Sequence, residues 1–262
     1  MEDTGLYLRH MRETAPLVHN ITNYVAMNIM ANVVLAAGAS PAMVHAREEV
    51  GEFAGLAQAL TVNIGTLDSD WADAMETAAR VMSGQGRPWV LDPVGVGATS
   101  FRQDVCARLL DLRPDVIRGN ASEILALAGV ASTGRGADAA DPVEAAEAAA
   151  RELSHQTGAV VAVSGPVDYI TDGAVAYRVR NGHALMPRIT ALGCSLNGVI
   201  AAFLVGQPAL PATVAALAYY GVAGERAAQA AQGPGSFQVG FLDALHALTP
   251  EKVTAGARVE TA

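Results

Sequence analysis

"ALTVNIGTLDSDWADAMETAARVMSGQGRPWVLDP", residues 59–93, is the stretch that decides the fold. Residues 59–65 form a short apolar run, and residues 88–93 form another. Between them Trp71, Met75, Ala78 and Met82 recur on one face of a helical period, behind an N-cap signal at Asp68-Ser69. Strand, capped helix and strand in this order make a unit whose two strands run the same way. Both strands are apolar at successive positions, so the sheet they enter is covered on both sides.

The same rhythm runs outward in both directions. "PAMVH" (41–45), "PDVIRG" (114–119) and "AVVAVSG" (159–165) read as further strands separated by helical segments. "NYVAMNIMANVVLAAGASPAMV" is interrupted by Asn23, Asn28, Asn32 and Pro41, and reads as a buried helix followed by a strand rather than a membrane span. "VDYITDGAVAYRV" (167–179) alternates about a "TDG" turn, a hairpin signal. Beyond Cys194 the pattern is helical almost to the end, and "STGRGADAADP" (132–142) reads as a mobile loop. With no internal repeat and no linker, the expectation is one domain over residues 1–262: an α/β fold with a mostly parallel sheet between two layers of helices.

Bulk properties narrow the function. A formal charge of -9 argues against nucleic acid or an anionic membrane surface as partner. "MEDTGLYLRHMRE" lacks the apolar core of a signal peptide. Cys106 and Cys194 are too few for a disulfide framework, so the expected location is the reducing cytoplasm.

In such sheets ligands bind beyond the carboxyl ends of the strands, and polar motifs collect there. "LDPVGVGAT" puts Asp92 after an apolar strand; "IRGNASEI" puts Arg118 at a strand end, then Asn120 and Glu123; "VAVSGP" ends on Ser164; "TALGCS" brings Cys194 to a helix start. Each has a structural reading as well. Asp92 before proline suits a turn, Asn120 with Glu123 suits a capping box, Arg118 suits a surface ion pair, and a lone cysteine suits a core. Cys106, beside Val105, Leu109 and Leu110, is expected to be such a core residue. Neither GxxxxGK[ST] nor GxGxxG is present. Taken together, the residues fit phosphoryl transfer, which needs a metal anchor, donors for phosphates and a group near the acceptor hydroxyl. Asp92 and Glu123 suit magnesium held through waters, and Arg118 suits nucleotide phosphates. The turn Ala191-Leu192-Gly193 offers amides at a helix start, where a thiol is expected to ionise more easily.

"PLVHNITNYVAMNIMANVVLAAGASPAMVHAREEV" (16–50), "NIGTL", "LDPVGVGAT", "IRGNASEI" and "GCSLNGVIAAF" closely resemble the hydroxyethylthiazole kinase family, through to the C-terminal "GPGSFQVGFLDAL". The resemblance implies a ribokinase-like fold without a lid, and a homotrimer with active sites at subunit interfaces. It further implies ATP- and Mg2+-dependent phosphorylation of 4-methyl-5-(2-hydroxyethyl)thiazole for thiamine phosphate synthesis. On this resemblance Met43 lines the thiazole site, with Ala191 at a substrate-contacting backbone position and Asn20 and Asn23 in the thiazole-side motif. Arg118, Ser164, Asn120 and Gly193 fall to ATP, Asp92 and Glu123 to the metal, and Cys194 to catalysis. One position departs from the family pattern: Thr-Gly-x-Gly-Cys is replaced by Thr190-Ala191-Leu192-Gly193-Cys194, and alanine makes a positive φ costly. Two rival readings remain. A kinase for a hydroxymethylpyrimidine or a sugar, or a nucleotide-dependent repair dehydratase, would keep the fold but carry aspartate in place of Cys194 and lack "HNITNYVAMN". A catalytically silent sensor is favoured only by Ala191.

Overall fold

The computed structural model describes residues 3–129 and 143–262; the segment 132–142, expected to be a mobile loop, lies outside them. The strands are β1 Leu17–Ile21, β2 Ser40–Ala42, β3 Ala59–Asn63, β4 Trp89–Asp92, β5 Val116–Asn120, β6 Val160–Ser164, β7 Asp168–Thr171, β8 Ala176–Val179 and β9 Val259–Thr261. They form a continuous sheet in the order β2-β1-β3-β4-β5-β6-β7-β8-β9. Pairings from β2 through β6 are parallel, and β7, β8 and β9 extend the edge as an antiparallel ribbon.

The helices are α1 Thr4–Thr14, α2 Met27–Ala37, α3 Val50–Ala54, α4 Ser69–Gly84, α5 Ser100–Leu110, α6 Ala121–Leu127, α7 Val143–Thr157, α8 Leu192–Leu204, α9 Ala209–Ala230, α10 Pro234–Ala247 and α11 Pro250–Gly256. Successive strand side chains go to opposite cores. Val90, Val116 and Ala162 join α1, α2 and α8–α11, whereas Leu91, Ile117 and Val163 join α3–α7. This alternation explains why the strands read as continuously apolar. Helix α4 is as expected: Asp68 accepts from Trp71 N at 2.8 Å, and Trp71, Met75, Ala78 and Met82 are buried. Cys106 is fully buried, and burial pushes its thiol up to about 12.

Two strands escape the sequence reading. β1 carries His19 and Asn20 in its five residues, which masks its apolar character, and β9 is a three-residue edge strand. Strand β2 ends at Ala42 instead of His45, leaving Met43 just past its carboxyl end. At this sheet edge Pro41 costs no interior hydrogen bond. The chain runs from β1 outward to β2, then back past β1 to β3. That reversal opens a crevice at the carboxyl ends of β1 and β3, where ligands bind in sheets of this kind.

Candidate active site

Asp92 closes β4 opposite Asn63, which closes β3. Its Oδ2 accepts from Asn63 Nδ2 at 2.5 Å and from Asn197 Nδ2 of α8 at 2.7 Å. Asn63 is fixed in turn, since its Oδ1 accepts from Asn23 Nδ2 at 2.8 Å and from Gly65 N at 2.9 Å. Asp92 Oδ1 is buried and has no hydrogen-bond partner among the described residues. Burial, reinforced by the Glu123 charge and opposed by Arg118 and the two amides, pushes the carboxyl up to about 7. A buried anion supported by neutral amides and left with one bare oxygen is an incomplete site.

Helix α8 starts beside it. Ser195 N is bonded to Ala191 O at 2.9 Å, so the amides of Leu192, Gly193 and Cys194 precede the helical ladder. Such amides favour anions. Ala191 has φ 59° and ψ 11°. The turn therefore does demand the left-handed region, at about 1–2 kcal/mol for a residue with a Cβ. A Cβ on Gly193 would stand 3.3 Å from Arg118 Nη1 and Nη2, which puts the guanidinium against this turn. Cys194 Sγ, half-buried, lies 3.5 Å from Asn23 Nδ2. The expected lowering of its thiol is reversed: burial and the Asp92 charge push it up to about 11, against the pull of Arg118 and the Asn63 and Asn23 amides. The helix terminus does not win against desolvation here.

Arg118 leaves β5 toward the same crevice and donates to Ser164 Oγ at 2.7 Å, while its buried Nε has no partner among the described residues. Its charge acts on Asp92, Cys194 and Asp168 together. Asp168 accepts from Gly165 N at 3.0 Å across the turn after Ser164, and desolvation pushes its carboxyl up to about 7. Asn120 and Glu123 do form a capping box: Glu123 N donates to Asn120 Oδ1 and Asn120 N to Glu123 Oε2, both at 2.9 Å. Glu123 Oε1 also accepts from Gly95 N at 2.9 Å, tying the glycine turn after β4 to α6.

On the opposite wall Asn20 is buried, donating to Val18 O at 2.8 Å and accepting from Thr61 Oγ1 at 3.0 Å. His19 Nε2 contacts Val44 O at 2.6 Å, and His19 pairs with Ala42 in the sheet, so the chain is held on either side of half-buried Met43. The crevice thus gathers Asn23, Asp92, Glu123, Arg118, Ser164, Gly193 and Cys194. Asn20, Asn120 and Glu123 are engaged in protein contacts of their own. Sequence reading missed Asn63, Asn197 and Asp168. Asn197 carried a signal, because it follows Cys194 by three and shares its helix face. Asn63 carried a weaker one, as a polar residue inside an apolar strand.

A family model described as the hydroxyethylthiazole kinase family matches residues 8–251. A curated hydroxyethylthiazole kinase of Cereibacter sphaeroides is 64% identical over 262 residues, 100% of both chains. The solved structure of a hydroxyethylthiazole kinase protein from Pyrococcus horikoshii OT3 superimposes with a TM-score of 0.91 at 41% identity, covering 99% of this chain and 98% of that one. A ribokinase-like superfamily protein from Enterococcus faecalis shares the fold alone, at TM-score 0.66 and 12% identity over 92% of this chain and 93% of that one.

Proposed function

We propose roles for the crevice residues from the premise that this chain belongs to the hydroxyethylthiazole kinase family and phosphorylates the thiazole alcohol for thiamine biosynthesis. ATP is the co-substrate that a kinase of this family implies. The observation that carries the assignment of roles is the meeting of the α8 amides, the Arg118 guanidinium and the half-paired Asp92 carboxylate around one half-buried thiol.

The hydroxyethyl oxygen attacks the γ-phosphorus, forming the new O–P bond as the bond to the departing ADP oxygen breaks. The hydroxyl proton passes to a transferring phosphoryl oxygen and from there to water. Charge spreads over the transferring oxygens in this reaction, so positioning and electrostatic support do most of the work. Arg118 and the amides of Leu192, Gly193 and Cys194 supply that support, with Arg118 aligned by Ser164. Cys194 stays a thiol at neutral pH and acts by bordering the incoming hydroxyl rather than as a base. Met43, Asn23 and the Ala191 backbone face the thiazole, Asn20 holds the strand beneath it, and Asn120 caps the helix below the nucleotide side.

The bare Oδ1 of Asp92, together with the Glu123 carboxylate, fits a hard cation held largely through waters. Magnesium bound there would neutralise phosphate charge. Among the described residues there is no cluster of three or more acidic, His or Cys side chains, but magnesium on a nucleotide needs only one or two carboxylates.

We read residues 1–262 as one domain, supported by the continuous sheet. We also read the protein as a homotrimer with shared sites. Tyr24 and Val25, directly after Asn23, are 63% and 59% exposed, which fits a covering subunit at the crevice rim. Both cysteines are free, which fits a cytoplasmic enzyme, and among the described residues no helix is long and apolar enough to cross a membrane. Incubation with ATP, Mg2+ and the thiazole alcohol should yield one phosphate ester per ADP released. ADP release unchanged by omitting the alcohol, or stimulated equally by a hydroxymethylpyrimidine or a sugar, would overturn the reading.

A further inference from the structure

Helix α8 leaves a residue that resists its own conformation, and the next residue is gripped from below. The Leu192 carbonyl accepts from Tyr220 Oη at 2.8 Å and from Ser195 Oγ at 3.0 Å, and the two hydroxyls are 2.9 Å apart. All three residues are buried, and desolvation keeps the Tyr220 phenol protonated as a donor. Two hydroxyl protons serve three contacts, so two of the three are hydrogen bonds at any moment. Tyr220 comes from the middle of α9, a long helix buried along most of its length.

We infer that Tyr220 and Ser195 are positioning residues for phosphoryl transfer, holding the Leu192–Gly193 peptide so that the Gly193 N–H faces the migrating phosphoryl group. This rests on the role proposed above for the α8 amides. The Leu192 carbonyl and the Gly193 N–H belong to one rigid plane and point in opposite directions. Fixing the oxygen therefore aims the amide, away from α9 and at a residue whose Cα lies beside the Arg118 guanidinium. The same grip explains how Ala191 keeps its left-handed angles, because a residue in a sparsely populated region persists only where its surroundings over-determine it.

The test compares Tyr220→Phe in the parent and in Ala191→Gly, with kcat, KM and the urea midpoint measured in each. Phenylalanine keeps the ring and removes one buried donor, so kcat in the parent background should fall about fivefold, with KM for the thiazole alcohol changing less than about twofold. Glycine adopts positive φ freely, so the same substitution in the Ala191→Gly background should cost less than about twofold in kcat. Ser195→Ala should reproduce the pattern and serves as the second variant should Tyr220→Phe unfold. Parent-like kcat in both single variants, or equal losses in both backgrounds, would overturn the inference. Coupling in the urea midpoint without coupling in kcat would preserve the strain relation and locate the failure in the role given to the amides.

Discussion

Asp92 and Glu225 are carboxylates that each anchor a polar cluster, and their surroundings differ in kind. Glu225 accepts from Arg258 Nη2 at 2.5 Å and Nη1 at 3.1 Å, from Asn181 Nδ2 at 3.1 Å and from Gly182 N at 2.9 Å. Burial pushes its carboxyl up, but Arg258 and the amides outweigh it and hold it below its usual range. Asp92 has two neutral amides on one oxygen and none on the other, and its carboxyl moves the opposite way, up to about 7. The Glu225 cluster is finished and ties α9 to the chain just after β8 and just before β9. The Asp92 cluster is unfinished, and an unfinished polar site in a buried crevice marks where a ligand belongs.

Substitutions separate the two clusters, beginning with the largest effect. Asp92→Asn should lower kcat by about 10²–10³-fold, the scale for losing one preorganised electrostatic group, while leaving the thermal midpoint equal or higher. Arg118→Ala should reduce kcat/KM for ATP by about 10–100-fold, the worth of a charged hydrogen-bond donor. Initial rates against ATP check both, and parent-like rates in either variant would break the contrast. Cys194→Ala should cost no more than about tenfold in kcat, well short of the 10²–10⁴ expected of a general base. A thiolate ionisation appearing in the parent pH–rate profile between pH 6 and 9 would contradict that.

Glu225→Gln should leave kcat alone and cost about 1 kcal/mol of stability in a urea titration, a figure kept low because Arg258 is half exposed. The two carboxylates should also show opposite pH slopes in magnesium-free buffer. Folded Asp92 keeps its proton above the unfolded value of about 4, so its contribution to stability falls as pH rises from about 4 to 7. Asp92→Asn removes that slope. Folded Glu225 titrates below its unfolded value, so its stabilisation is present above about pH 4.3 and is lost as pH falls through the folded value. The deficit of Glu225→Gln should therefore vanish in acid.

Much of this was legible in the chain. Apolar runs located β3 through β6, because a doubly covered parallel sheet writes them at successive positions. Alternation about the turn at Thr171-Asp172-Gly173 located β7 and β8, and helical period located α4. Periodicity failed at β1, where buried His19 and Asn20 interrupt the apolar run, and at β9, where three residues carry no period. Asp92 and Ser164, which close β4 and β6, were found by rule, since parallel topology fixes where strands stop. Arg118, expected at the end of its strand, lies in the middle of β5, which runs on to Asn120. Asn63 and Asn197 were not found, because their role comes from meeting across β3, β4 and α8. The Cys194 thiol was misjudged for a related reason: a helix start is visible in sequence, whereas the depth of its burial is not.

A Cβ placed on Gly198 would stand 2.6 Å from Val34 Cγ2, so α8 and α2 touch with no room for an added methyl. Helix α8, which carries Cys194, is thereby held against α2, the helix that follows Asn23. On the roles proposed above, that fixed separation sets the size of the acceptor's site. On the same roles, room for a bulkier acceptor comes from trimming side chains, since shifting either helix would disturb close packing throughout the layer.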